Sequence, residues 1–237
     1  MITVIDLGIS NITSVSRALH RLGIDHIVST GPKDIRRAQQ LILPGVGNFA
    51  EAARRLRESG LDIILREAVL KEKKPILGIC LGMQLFASYG EEGGGAPGLD
   101  LIRGKVLYHR ASQSNLRLPH IGWNDVHFNG LSIAGTLIDV CTTNISNSKK
   151  TNVEILTATV NTISEKVSNG NSCFYFVHSY EFMPEEPVKT ATSHYGVDFV
   201  AAIQKDNILG VQFHPEKSQE AGLKLLENFC HIGISMH

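Results

Sequence analysis

The sequence predicts an α/β fold: a mostly parallel central sheet with helices on both faces, followed by smaller antiparallel strands in the second half. Short apolar runs alternate with stretches of helical periodicity as far as residue 86. The stretch 75–86, Pro-Ile-Leu-Gly-Ile-Cys-Leu-Gly-Met-Gln-Leu-Phe, joins a buried strand to a helix through a glycine-flanked cysteine. From Gly104 onward the pattern shifts to short strands. A chain of 237 residues is long enough for one large domain of this class, spanning 1–237.

Residues 2–6 read as the first strand and residues 11–22 as the helix after it, with Val15, Ala18, Leu19 and Leu22 on its buried stripe. A short strand at 26–29 leads into a turn at Gly31-Pro32. Residues 40–43 form a buried strand running into Pro44-Gly-Val-Gly-Asn48, and helical patterns follow at 49–59 and 61–71. The apolar run 75–79 has the character of a fully buried parallel strand, and the helix after the cysteine is expected over 83–89. The glycine-rich stretch 91–98 lacks the Gly-Lys-Ser/Thr of a phosphate loop and reads as a flexible surface connection. Further strands are expected at 173–179 and as a hairpin pair at 199–204 and 208–213. A closing helix at 219–229 carries Leu223, Leu226 and Phe229 in phase.

The chemistry centres on Gly78-Ile-Cys80-Leu-Gly82. A glycine on each side of the cysteine lets strand and helix approach closely while the nucleophile sits in a strained turn. At a helix N-terminus the macrodipole favours thiolate over thiol. A partner base is required, and one appears in Leu209-Gly-Val-Gln-Phe-His214-Pro-Glu216-Lys-Ser218. There an apolar strand ends at a histidine, with a carboxylate two residues later on the same side of an extended backbone. Cys80, His214 and Glu216 supply attack, proton transfer and orientation of the imidazole.

These blocks, with Pro44-Gly-Val-Gly47, Pro119-His-Ile-Gly-Trp-Asn124 and Tyr175-Phe-Val-His-Ser-Tyr180, carry a resemblance that covers nearly the whole chain. The chain resembles the class I, or triad, glutamine amidotransferases, a flavodoxin-like fold. Within them it is most similar to the glutaminase subunits of imidazole glycerol phosphate synthase, in histidine biosynthesis. The resemblance implies hydrolysis of L-glutamine by the triad, with the N–H groups of Val46 and Leu81 as oxyanion donors. It implies glutamine contacts from Gly47, Gln84, Ser179 and Tyr180. It also implies a heterodimer with a (β/α)8-barrel cyclase subunit, to which the ammonia passes directly, with Trp123, Tyr175 and Lys217 at the interface. Taken alone, Trp123 would be a packing residue and Lys217 a solvated charge. A peptide flip at Gly45-Val46 is the expected gate on wasteful hydrolysis in the free subunit.

The chain departs from the family pattern twice. Ser10 stands where the family carries a glycine. Residues 129–170, rich in Asn, Ser and Thr, form a longer connection than the family uses, and the β-branched run at 153–160 predicts a hairpin with a mobile tip.

Composition narrows the alternatives. With 23 basic and 23 acidic residues, the chain offers no electrostatic footprint for nucleic acid or an anionic membrane. No basic leader or apolar run of about 20 residues is present, which points to the cytoplasm. Cys80, Cys141, Cys173 and Cys230 are scattered without a C-x-x-C pair, and the ten histidines show no ligand spacing, so neither metal nor cofactor is expected. Two rival functions remain open on sequence. One is a paralogous glutaminase feeding another acceptor, such as an amidino-sugar synthase for surface polysaccharide. The other is a non-enzymatic scaffold, against which the intact triad argues.

Overall fold

The computed structural model describes residues 1–9, 11–114, 116–128 and 173–232. The expectations for Ser10, Cys141 and the 129–170 connection lie outside the described residues. The first half alternates as the sequence predicts: β1 (Ile2–Ile5), α1 (Ile12–Arg21), β2 (His26–Ser29), α2 (Pro32–Arg37), β3 (Gln40–Gly45), α3 (Phe49–Glu58), α4 (Leu61–Arg66), β4 (Ile76–Cys80) and α5 (Leu81–Gln84). Then come β5 (Tyr89–Gly90), β6 (Ala96–Pro97), β7 (Gly104–Tyr108), β8 (His120–Asp125), β9 (Cys173–His178) and β10 (Tyr180–Pro184). The chain closes with β11 (Lys189–Tyr195), β12 (Val197–Lys205), β13 (Ile208–Val211) and α6 (Gln219–Ile232).

The central sheet runs β11-β12-β13-β4-β3-β1-β2. Neighbours from β13 to β2 pair in parallel, and β12 and β11 add an antiparallel edge. The strand period of two sends alternate side chains to opposite layers. Leu41 and Leu43 pack with α2, α3 and α4 through Ile35, Phe49, Ala52, Leu56, Leu61 and Leu65. Ile42, from the same strand, packs on the other side with α1 and α6 through Val15, Leu19, Leu225, Leu226 and Phe229. Both faces of the sheet are therefore dry, as parallel strands require. In α6, Leu226 and Phe229 are fully buried as expected and Leu225 joins them, while Leu223 is only partly covered. Two smaller sheets, β10-β7-β5-β6 and the antiparallel pair β8-β9, lie beyond it.

Four local expectations need correction. Gly31-Pro32 is no simple turn, because Pro32 opens α2, where its fixed φ and missing N–H fit the first helical position. The second half of the 61–71 helix, Glu67–Lys71, widens to a π-helical turn. The helix after Cys80 begins at Leu81 and ends at Gln84 instead of running over 83–89. The carbonyls of Leu85, Phe86 and Ala87 accept from the N–H groups of Leu99, Leu101 and Asp100, and these long-range bonds end the helix. The glycine-rich 91–98 stretch is held in a 3-10 turn, Glu92–Gly94, and the β5-β6 ladder.

Candidate active site

Three adjacent central strands converge at their carboxyl ends, where open α/β sheets hold ligands. The parallel register pairs Gly45 with Cys80 and Ile79 with Val211. This places the turn after β3, the cysteine at the tip of β4 and the segment after β13 side by side.

Cys80 adopts φ 54°, ψ −110°, a conformation non-glycine residues rarely occupy. Its cost, about 1–3 kcal/mol, is borne by the surrounding packing. Its neighbours explain the glycines. A Cβ on Gly82 would lie 1.7 Å from the Leu43 carbonyl oxygen, and one on Gly78 would lie 2.6 Å from the Phe86 ring. Only hydrogen at both positions lets α5 sit on β3 and β4 with the thiol at its N-terminus. The cysteine is buried, with 6% of its surface exposed, and it lines a cleft.

His214 follows β13 and is held from β9. Its N–H donates to the Tyr175 carbonyl (2.9 Å), its own carbonyl accepts from Ser218 Oγ (2.6 Å), and that oxygen accepts from the Tyr175 N–H (3.0 Å). His214 Nδ1 meets Glu216 Oε1 at 2.8 Å, with both side chains almost wholly buried. The route differs from the extended backbone expected. Pro215–Lys217 is a 3-10 turn, and that turn brings the carboxylate back under the ring. His214 Nε2 is buried without a hydrogen bond. Burial lowers the imidazolium pKa, but the charge of Cys80 and the bond to Glu216 outweigh it and raise it to about 10. The imidazolium form of His214 is thus favoured beside the Cys80 sulfur, while its Nε2 makes no hydrogen bond.

A cleft of about 220 Å³ opens over the sulfur. Val46, Gly47, Leu81, Gln84, Ser179 and Tyr180, the residues named for oxyanion and glutamine contacts, all line it. Gln84 Nε2 donates to the Tyr180 carbonyl (3.1 Å) and to Gln212 Oε1 (3.0 Å). Sequence reasoning missed Glu92 and His178, which line the same cleft. Glu92 Oε2 accepts from the Phe49 N–H (2.8 Å), and burial raises its pKa. Nothing local to a glycine-rich stretch signals that contact. His178 Nδ1–H donates to the Tyr180 carbonyl (3.0 Å), so its Nε2 accepts from His120 (3.2 Å). Burial holds His178 well below the usual imidazole range, and it is neutral.

Trp123, Tyr175 and Lys217 meet on the surface next to the His214 turn. The Trp123 and Tyr175 rings cross edge-to-face at 6.0 Å, and Lys217 Nζ lies 5.6 Å above the Tyr175 ring. Trp123 is 48% exposed and neighbouring Ile121 59% exposed, so this tryptophan is not core.

The family description "Glutamine amidotransferase class-I" matches residues 3–232. The chain belongs to the class-I glutamine amidotransferases. Among the relatives of this amidotransferase, the Campylobacter jejuni (strain 81-176) protein named imidazole glycerol phosphate synthase subunit HisH 1 is 41% identical over 98% of this chain and 100% of its own length. The Moorella thermoacetica subunit HisH is 41% identical over 98% of this chain and 94% of its own. Solved structures share the fold at lower identity. One titled glutamine amidotransferase gives a TM-score of 0.68 at 18% identity, covering 98% of both chains. A glutamine amidotransferase from Thermotoga maritima gives 0.57 at 14% identity, over 99% of this chain and 97% of that one. Among the described residues no helix of this amidotransferase is long and apolar enough to cross a membrane.

Proposed function

We propose that Cys80, His214 and Glu216 carry the glutaminase reaction of an imidazole glycerol phosphate synthase, whose ammonia goes to a barrel-type cyclase subunit bound as a heterodimer in the cytoplasm. The single observation behind the residue roles is the buried His214–Glu216 pair beside a strained, cleft-facing Cys80. The name carried by relatives at about 40% identity favours this acceptor over an amidino-sugar synthase.

The thiolate of Cys80 attacks the side-chain amide carbon of glutamine, and the carbonyl electrons move onto oxygen. The N–H groups of Val46 and Leu81 are the donors for that oxyanion, each worth about 3 kcal/mol. The C–N bond breaks as the His214 imidazolium gives its proton to the departing nitrogen, and ammonia leaves a thioester on sulfur. Neutral His214 then takes a proton from water, the resulting hydroxide adds to the thioester, and the C–S bond breaks to return glutamate and thiolate. Glu216 holds Nδ1–H throughout, which keeps Nε2 aimed at the reacting atoms. Gly47, Gln84, Ser179 and Tyr180 position the substrate, and the Glu92 carboxylate suits its α-ammonium group. The exposed Trp123, Tyr175 and Lys217 patch is the docking face for the cyclase.

Ammonia in neutral water is mostly ammonium, so the reaction is useful only when coupled to the acceptor site. In the assembled synthase, Cys80→Ala should abolish glutamine-dependent product formation while added ammonium salt still supports it. Glutamine-dependent turnover surviving in that variant would remove Cys80 from the mechanism.

A further inference from the structure

One side chain in contact with the sulfur is left unused by the triad. Gln212, the residue after β13, is fully buried, and its N–H donates to the Ala201 carbonyl (2.8 Å). Its side-chain Nε2 lies 3.6 Å from Cys80 Sγ, within hydrogen-bond range for sulfur. We infer that Gln212 is a further catalytic residue, an N–H donor that stabilises negative charge on the Cys80 sulfur; the inference rests on Cys80 being the glutaminase nucleophile.

The direction of the Gln212 amide is fixed by what lies behind it. The Tyr180 carbonyl can only accept, so Gln84 must turn its NH2 toward it. The same NH2 donates its second proton to Gln212, which must therefore present Oε1 to Gln84 and Nε2 to the sulfur. Turning the Gln212 amide over would set two NH2 groups against each other and a carbonyl oxygen against a thiolate. The result is a polarised relay from the Tyr180 carbonyl through Gln84 and Gln212 to Cys80, closed to water at the Gln212 end. The sulfur has a partner in either state: as thiol it can donate to the Val177 carbonyl at 3.8 Å, and as thiolate it accepts from Gln212. The donor acts in both half-reactions. It favours formation of the attacking thiolate, and it receives the electron pair that returns to sulfur when the C–S bond of the thioester breaks. Because Gln84 also lines the cleft, the relay joins the substrate's surroundings to the nucleophile.

The test is the pH dependence of Cys80 alkylation by iodoacetamide in the full chain, for wild type, Gln212→Met and Gln212→Leu, with Cys80→Ala giving the background from other thiols. The titratable groups around the sulfur are His214 with Glu216 behind it, and His178, Glu92 and Tyr180 across the cleft. All stay unchanged in the Gln212 variants. Loss of the donor should move the alkylation midpoint to higher pH by about one unit, a tenfold slower reaction on the acidic side of the midpoint, while the plateau at high pH stays at the wild-type rate. A merely structural role would change the plateau through altered access and leave the midpoint in place, and that result overturns the inference. If Gln212→Met does not fold, Gln212→Leu decides alone; a midpoint equal to wild type in that variant also overturns it. Glutamine turnover that survives Cys80→Ala would instead defeat the triad reading, independently of these profiles.

Discussion

At the scale of single residues, the decisive feature is the charge state of His214. A buried histidine would ordinarily be neutral, because desolvation disfavours its cation. Here Cys80 and Glu216 reverse that preference and raise its pKa from 6.5 to about 10. The cation therefore persists at neutral pH, as the proposed protonation of the departing nitrogen requires. Since the folded-state pKa lies above the ordinary value, the stabilisation from charged His214 is complete below about pH 6.5 and is lost as pH rises through about 10. Glutamine turnover should fall on the alkaline side with a midpoint near 10, read from the pH profile of kcat/KM, which reports the free enzyme. Glu216→Gln should move that limb to lower pH, since the carboxylate bond is one of the contributions that raise it. The same variant should lose less activity than His214→Ala, because a weakened orientation still leaves the base in place. Equal losses in the two variants would show that the carboxylate and the ring do not have separate roles.

At the scale of elements, the elbow was legible because its determinants are local. Two glycines and a cysteine within five residues state that a strand must turn onto a helix with almost no room. What sequence could not give was where that helix stops, since carbonyls 85–87 are claimed by N–H groups more than ten residues downstream. Glu92 was hidden for the same reason. Its partner is the Phe49 N–H, 43 residues away, and a glycine-rich run carries no sign of it. Gln212 sat in full view within the histidine block, but its function depends on Gln84 and Cys80, both supplied by β4 and α5. The contact of Glu216 with His214 was anticipated for an incomplete reason, because a 3-10 turn and not strand alternation carries the carboxylate to the ring. The tightness of the elbow gives a stability prediction. Gly82→Ala sets a methyl group 1.7 Å from the Leu43 carbonyl oxygen, a backbone atom of the central sheet that cannot swing aside. The variant should lose about 3 kcal/mol in chemical denaturation, at the upper end for overpacking. Wild-type stability would mean that α5 can shift away from β3, and the close-approach account of this glycine would fail.

At the scale of the whole molecule, the surface patch and the cleft share one strand. Tyr175 exposes its ring beside Trp123 and Lys217, while its backbone donates to Ser218 and accepts from His214. A partner seated on that patch would press on the element that holds His214 in place. An exposed tryptophan packed edge-to-face on tyrosine, with isoleucine beside it, is the composition of an interface anchor. Trp123→Ala should weaken association with the cyclase subunit by about 2 kcal/mol, roughly a thirtyfold rise in Kd. The melting temperature of the isolated chain should barely move, because the ring is half exposed and its loss opens no cavity in either core layer. Titration calorimetry for binding and thermal unfolding of the free chain separate the two effects. A large drop in melting temperature with unchanged affinity would make Trp123 a packing residue of the β8-β9 pair and move the docking face elsewhere.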